Sequence, residues 1–160
     1  VLPQLPYWLQ AVLGGLGTGA VLLTDYGYPR REYYDPRRED GTLRAFHRHR
    51  LVDDVFARVG LQDVTVSVDF TALAEAGTGA GFDFAGYCSQ ASFLIGNGLE
   101  QRLADQESHA PDEAARYALR QQAKQLTLPG EMGERFQAIG FSRRVDLDHA
   151  FLAGDLSHRL

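Results

Sequence analysis

Several things are scarce in these 160 residues, and each scarcity excludes something. Cys88 is the only cysteine, so no disulfide can close within the chain, which fits a reducing compartment. No apolar run approaches the roughly 20 residues that a membrane-crossing helix needs. No basic start, short apolar stretch and small-residue cleavage site mark a secretory leader. Positive charge is in deficit, with 16 basic residues against 21 acidic ones and a net charge of -5. That balance argues against a general nucleic-acid binder. Lys124 is the only lysine, a bias without a functional reading. The chain opens Val1-Leu2-Pro3 without an initiator methionine, which predicts that it was processed or cut from something longer.

What is there suits one domain with a real core: 44% of residues are hydrophobic and 23% charged. Residues 1–160 read as a single unit, with a loop-rich excursion at 28–60. The most informative stretch runs from Gly19 to Arg30. Its apolar residues 19–23 do not alternate, which predicts a strand over 20–25 buried on both faces. Gly27 and Pro29 are expected to end it at once. Ligands in open α/β sheets bind just past the carboxyl ends of strands. Asp25, Tyr26 and Tyr28 would stand there, although Asp and Gly are also ordinary turn residues.

Around that strand, Leu5, Trp8, Leu9, Val12, Leu13 and Leu16 recur at helical spacing and predict a helix over 3–16. Residues 28–40 read as a loop, 42–46 as a short strand and 51–59 as helical. Val64, Val66, Val68 and Phe70 alternate with polar residues and predict an extended ribbon over 63–70. Asp69 or Thr71 would cap a short helix over 72–76. A second sheet strand is expected at 82–87, followed by helices at 90–95 and 99–106. Pro111, Asp112 and Glu113 open a helix running to about 126. Residues 135–145 look like the last strand, and the tail to Leu160 is weakly patterned.

Two glycine runs, Gly15–Gly19 and Gly77–Gly81, imitate a nucleotide-binding loop. Such a loop needs the order strand, glycines, helix, because the free N–H groups of the helix start meet the ligand. Both runs have the reverse order, so they terminate helices instead. His47 and His49, near Asp53 and Asp54, lack the third close ligand that a metal site needs, and a solvated or hydrogen-bonded role is expected. The Arg- and Tyr-rich stretch from Tyr26 to Arg50 could stack on single-stranded bases but reads more readily as a surface with internal ion pairs. Nothing in sequence activates Cys88, which reads as a buried thiol. Gln90 begins a helix and suits capping as well as ligand contact, and Asp69 suits capping as well as chemistry.

Taken in order, several segments resemble one family: Asp25-Tyr26-Gly27-Tyr28, Gly41-Thr42-Leu43-Arg44, Arg48-His49-Arg50, Gly60 to Thr65, Val68-Asp69-Phe70, Ser89 to Leu94 and Pro129 to Phe136. The pattern is similar to the carboxyl-terminal half of the MidA-family class I S-adenosylmethionine-dependent methyltransferases, over about residues 5–141. The family's mitochondrial member is a protein arginine methyltransferase required for assembly of respiratory complex I. Its bacterial members are largely uncharacterised. The chain departs from the family at Val66-Ser67, where Ala-His is common. The family's glycine-rich cofactor loop and ribose-holding acid lie upstream of the Asp-Tyr-Gly element.

The resemblance implies an α/β fold, part of a Rossmann-like methyltransferase sheet comprising its strands five (20–25), six (82–87) and seven (136–141). Strand seven would run antiparallel between the other two. Strand five would then have an open edge where strand four belongs, and such an edge recruits another chain or copy. The implied function is the substrate-side portion of a methyltransferase acting on protein arginine, with S-adenosylmethionine held mainly by residues outside this chain. The piece alone would be inactive. Candidate site residues are Asp25, Tyr26 and Tyr28, with His49, Asp69 and Gln90 as second choices. A bacterial cytoplasmic protein is expected rather than a mitochondrial one, with a protein substrate, no nucleic acid and no membrane. A non-catalytic docking module, carried by the charged and aromatic segment 28–58, is the alternative. A nicotinamide oxidoreductase would rest on fold analogy alone.

Overall fold

The computed structural model describes residues 2–160. Helix α1 (Leu5–Leu13) leads through a glycine-rich bend into β1 (Gly19–Tyr28) and a one-turn helix α2 (Arg30–Tyr33). Three short strands follow: β2 (Arg44–His47), β3 (Arg50–Val52) and β4 (Asp63–Thr65). The chain then forms β5 (Val68–Asp69), α3 (Phe70–Gly79) and β6 (Asp83–Ser89). Helices α4 (Gln90–Gly96), α5 (Leu99–His109), α6 (Glu113–Thr127) and α7 (Met132–Arg135) precede the last strand, β7 (Phe136–Arg143). Two 3₁₀ turns, Asp148–Phe151 and Ser157–Arg159, complete the tail. Among the described residues no helix is long and apolar enough to cross a membrane.

The main sheet has the order β5-β1-β7-β6. β7 is antiparallel to β1, from Gly19↔Arg143 to Tyr26↔Phe136, and antiparallel to β6, so β1 and β6 run parallel without touching. This is the arrangement that the resemblance implies for strands five, seven and six. On one face α1 and α3 pack Leu9, Leu13, Phe70 and Leu73 against Tyr87, Ile139 and Phe141. On the other face Phe93, Leu147 and Phe151 cover Cys88 and Ala138.

The strand buried on both faces is β7, whose residues 137–142 are all buried, and not β1. In β1 burial alternates: Val21 and Leu23 pack on the core while Leu22 is 44% exposed. The unbroken apolar run failed as a burial signal because the described chain covers only one face of this strand. Nor does the strand stop at Asp25. It continues to Tyr28, because Gly27 and Tyr28 pair in parallel with Val68 and Asp69 of β5. From Gly19 to Tyr26 the other edge of β1 has no strand beside it among the described residues. On α1, Trp8 and Val12 are exposed as well.

Other elements differ from the sequence pattern for local reasons. The helix expected over 51–59 is absent. Arg48 and His49 both take positive φ (49° and 63°), turning the chain back as the β2–β3 hairpin. The ribbon over 63–70 breaks into β4 and β5, which join different sheets. Residues 28–40 hold the short helix α2 rather than loop alone. The helix after Asp69 is longer than expected, 10 residues, and α6 starts at Glu113 with Asp112 as its cap, leaving Pro111 outside. The Asp112 carboxylate accepts the Ala115 N–H at 2.7 Å.

Gly77 lets α3 lie close on the sheet: a Cβ there would stand 2.2 Å from the Phe141 ring. Gly79, two residues on, meets nothing within 4 Å. Replacing them with alanine should therefore give opposite signs in urea denaturation. Gly77→Ala should lose about 1–3 kcal/mol through overpacking. Gly79→Ala should be neutral or gain up to about 1 kcal/mol through the unfolded state. Equal effects would contradict the packing account.

The open edge of β1 should make this chain self-associate, and Leu22→Lys, which places a charge beside that edge, should shift it toward monomer in analytical ultracentrifugation. A wild-type chain that stays monomeric at high concentration would count against the open edge.

Candidate functional site

A cleft of about 1040 Å³ lies at the carboxyl ends of β1 and β6 and the amino end of β7. β1 supplies Tyr26, Gly27 and Tyr28, β6 supplies Tyr87 and Ser89, and β7 supplies Phe136 and Gln137. The small sheet β3-β2-β4 forms the facing wall. Its cross-strand pairs Arg44↔Thr65 and Phe46↔Asp63 lie on one face, as period-two geometry requires, and all four side chains line the cleft. The tail closes one side. Leu156 donates its N–H to the Tyr87 carbonyl at 2.7 Å, and Arg159 forms an ion pair with Glu32.

The parallel pairing at the cleft floor depends on Gly27. A Cβ there would sit 2.2 Å from the Val68 carbonyl oxygen, so only glycine lets β5 cross so near β1. Asp69 then caps α3, accepting the Ala72 N–H at 3.0 Å. Arg30 ties the excursion to the same helix. Its guanidinium forks onto Glu75 (2.8 and 2.6 Å) and comes within 3.5 Å of Asp69, and its backbone N–H reaches the Thr71 hydroxyl. That pairing raises the pKa of Arg30, chiefly through the Glu75 hydrogen bond, and lowers that of Glu75.

Two phenols of the cleft are held neutral. Burial pushes the Tyr87 hydroxyl above its ordinary range, with Glu32 adding to the rise and Arg159 opposing it. Tyr26 is raised too, first by burial and then by Asp25 and Asp63. Neutral phenols offer an O–H and a negative ring face, and an aromatic face attracts a cation. Arg38 demonstrates the fit: its guanidinium carbon lies 4.2 Å from the Tyr28 ring centroid. Its Nε is buried without a hydrogen-bond partner. An unmade bond of this kind costs about 1–3 kcal/mol.

Of the sequence candidates, Tyr26 and Tyr28 meet in this cleft. Asp25 points elsewhere: it is exposed and accepts the N–H of Tyr26 at 2.8 Å. His49 stands exposed at the tip of the β2–β3 turn, and Asp69 serves the cap and the Arg30 pair. Gln90 is buried, and its amide donates to the Leu126 carbonyl at 3.0 Å, tying α4 to the end of α6. His47 engages the Leu61 carbonyl through Nδ1. Cys88 is buried, and desolvation pushes its thiol up to about 11, so it stays protonated at neutral pH.

Sequence reasoning held Arg44, Asp63, Glu134 and Arg135 within the family-like segments and Arg38 within the docking excursion, but named none of them, nor Tyr87, as a site residue. The end of the 82–87 strand was a usable signal for Tyr87, by the same strand-end rule that singled out Tyr26. Nothing local marks Arg159, which reaches the cleft only because the tail folds back.

An open sheet with an antiparallel strand between two parallel ones, and a cleft at their carboxyl ends, defines a Rossmann-like class I methyltransferase architecture. Residues 1–88 match the family described as "Putative S-adenosyl-L-methionine-dependent methyltransferase". The chain is 35% identical over 118 residues to rat protein arginine methyltransferase NDUFAF7, mitochondrial, covering 74% of this chain and 25% of that protein. A crystal structure of an uncharacterized Burkholderia thailandensis protein superposes with a TM-score of 0.89 at 41% identity, covering 97% of this chain and 41% of that one. A second structure from that organism, bound to S-adenosyl-homocysteine, gives a TM-score of 0.87 at 40% identity, with 97% and 40% covered. The chain belongs to this family of S-adenosylmethionine-dependent methyltransferases. It spans about a quarter of the length of the curated relative and two fifths of the solved ones.

Both glycine runs follow helices, α1 and α3, and lead into strands. They present carbonyls, and a cation already occupies these: Arg143 donates to Leu16, Ala80 and Gly81 oxygens at 2.9, 2.9 and 3.2 Å and stacks on Phe82.

Asp69→Ala should cost about 1–2 kcal/mol of stability through the lost cap, and Asp69→Asn, which keeps a capping oxygen, should recover most of it. Thermal unfolding of the two variants checks this. Equal losses would assign the effect to the Arg30 pair instead.

Proposed function

We propose that these residues form the substrate-side wall of an S-adenosylmethionine-dependent methyltransferase acting on protein arginine. The observation that carries the reading is the cleft itself, at the carboxyl ends of β1 and β6, walled by the half-buried rings of Tyr26 and Tyr28, with the buried Tyr87 at its edge. A planar guanidinium can rest on such rings. Asp63 and Glu134 line the same cleft without an ion pair among the described residues. They are the groups that can orient the acceptor and take up the proton it gives up. Binding of this kind accelerates transfer by fixing geometry and excluding water. The mitochondrial arginine methyltransferases at 35% identity support a protein acceptor. The open edge of β1 is the place for the rest of the sheet, and the wall alone should neither hold the cofactor well nor turn over. The higher identity to the Burkholderia protein than to the rat one favours a bacterial cytoplasmic setting.

A docking role for the excursion finds support in the exposed Phe56 near its end, next to the exposed Val59 and Leu61. Two neighbouring arginines of that segment are placed differently. Arg37 is paired with Asp35, whereas Arg38 packs on Tyr28 in the cleft.

The test is a chimera in which this chain replaces the matching segment of the Burkholderia thailandensis protein. It should bind S-adenosyl-homocysteine and methylate arginine-containing protein. Tyr26→Ala and Tyr28→Ala should each lower kcat roughly ten- to a hundredfold with cofactor affinity unchanged. Unaltered kcat in both would sink the assignment, as would micromolar S-adenosylmethionine binding by residues 1–160 alone in calorimetry.

A further inference from the structure

We propose that the cleft takes its substrate as an acidic peptide whose carboxylates are read by Arg38, Arg44 and Arg135. This rests on the substrate-side reading above and names the chemistry of what enters. The chain as a whole carries a net charge of -5, yet the cleft reverses that sign: four arginines line it against the carboxylates of Glu32, Asp63 and Glu134. Of the four, only Arg159 has a carboxylate within ion-pair distance, on Glu32. Arg44 donates only to its neighbour's carbonyl, Leu43 O, at 2.7 Å. Arg38 and Arg135 have no carboxylate partner among the described residues.

Arg38 shows most plainly what is missing. Stacking on Tyr28 fixes the plane of its guanidinium, and the buried Nε has no acceptor among the described residues. Held flat, the terminal nitrogens of the guanidinium form a fork for a carboxylate, which two parallel hydrogen bonds would satisfy. The three arginines come from separate places: the excursion after α2, the small sheet, and α7 across the cleft. They therefore read an extended ligand rather than a single ion. Two unpaired carboxylates share the cleft, and the surrounding protein is acidic, an environment that disfavours a continuous phosphate backbone. An acidic peptide bearing one arginine matches both signs: its guanidinium meets Asp63 and Glu134, and its flanking carboxylates meet the arginines.

The experiment measures fluorescence anisotropy of two labelled peptides on this chain, each with one arginine, one flanked by Asp and Glu and the other by Asn and Gln. The acidic peptide should bind roughly tenfold more tightly at low salt, and the preference should shrink as salt rises. Arg38→Gln and Arg135→Gln should each reduce the preference. Arg135 is exposed, so its variant should fold normally even if Arg38→Gln does not. Equal affinity for the two peptides, or a preference that survives both substitutions, overturns the inference and leaves the wall reading intact. Failure of both peptides to bind counts against the wall reading beneath it as well. A single-stranded RNA that outcompetes the acidic peptide overturns the choice of partner. The cofactor's amino-acid carboxylate is the other source of this chemistry. If the substitutions weaken S-adenosyl-homocysteine binding in the chimera while the peptide preference persists, the arginines serve the cofactor and the inference falls.

Discussion

The structure depends on one strand. β7 lies between β1 and β6, bonded to both, and its residues 137–142 are buried on both faces. Neither β1 nor β6 pairs with the other, so the backbone pairing between the two halves of the cleft passes through β7. Tyr26 lies opposite Phe136 and Tyr87 opposite Ile139, three residues apart on β7, so the two side chains leave the sheet on opposite faces and border the cleft from either side of its strand ends. A slip of one residue would exchange those faces. The aromatic contact of Tyr26 with Phe136, 5.5 Å between ring centroids, sits at the end of that register.

The two most distinctive sequence elements prove to hold architecture together as much as they serve a site. Gly27 of Asp-Tyr-Gly exists for the crossing of β5, and Asp69 of Val-Asp-Phe starts α3 and receives Arg30. Phe70, next in that element, is fully buried and packs on Tyr87 at 5.2 Å. The pair of motifs thus fixes the position of the excursion and the small sheet, which in turn supplies the second wall of the cleft. Only the tyrosines flanking Gly27 face the space where chemistry would occur.

Much of the main sheet was legible because it is encoded locally. Helix spacing placed α1, alternation and capping placed Asp69 and α3, and the reversed order of the glycine runs kept them from being mistaken for a cofactor loop. The small sheet was not legible. Its strands are four, three and three residues long, too short for periodicity, and they depend on a turn at Arg48-His49 that no glycine or asparagine announces. The arginines of the cleft were missed for a related reason. Arg38, Arg44 and Arg135 lie far apart in sequence, and only the fold brings them to one cavity. Exposure of Leu22 could not be read from an apolar run, because a run reports the composition of a strand and not what lies over it.

The position of β7 in the chain has a bearing on how the protein is made. Arg143, its last residue, holds the Leu16 carbonyl across 127 positions of sequence, and Gly19 pairs with Arg143 itself. Until β7 leaves the ribosome, β1 lacks the strand that pairs with it over residues 19–26, its other strand partner among the described residues being the two-residue β5. An apolar strand finished early must therefore wait through more than a hundred residues of synthesis for its principal neighbour. Such late, long-range closure is slow and leaves the nascent chain exposed to aggregation, a burden that falls on chaperones rather than on the mature fold.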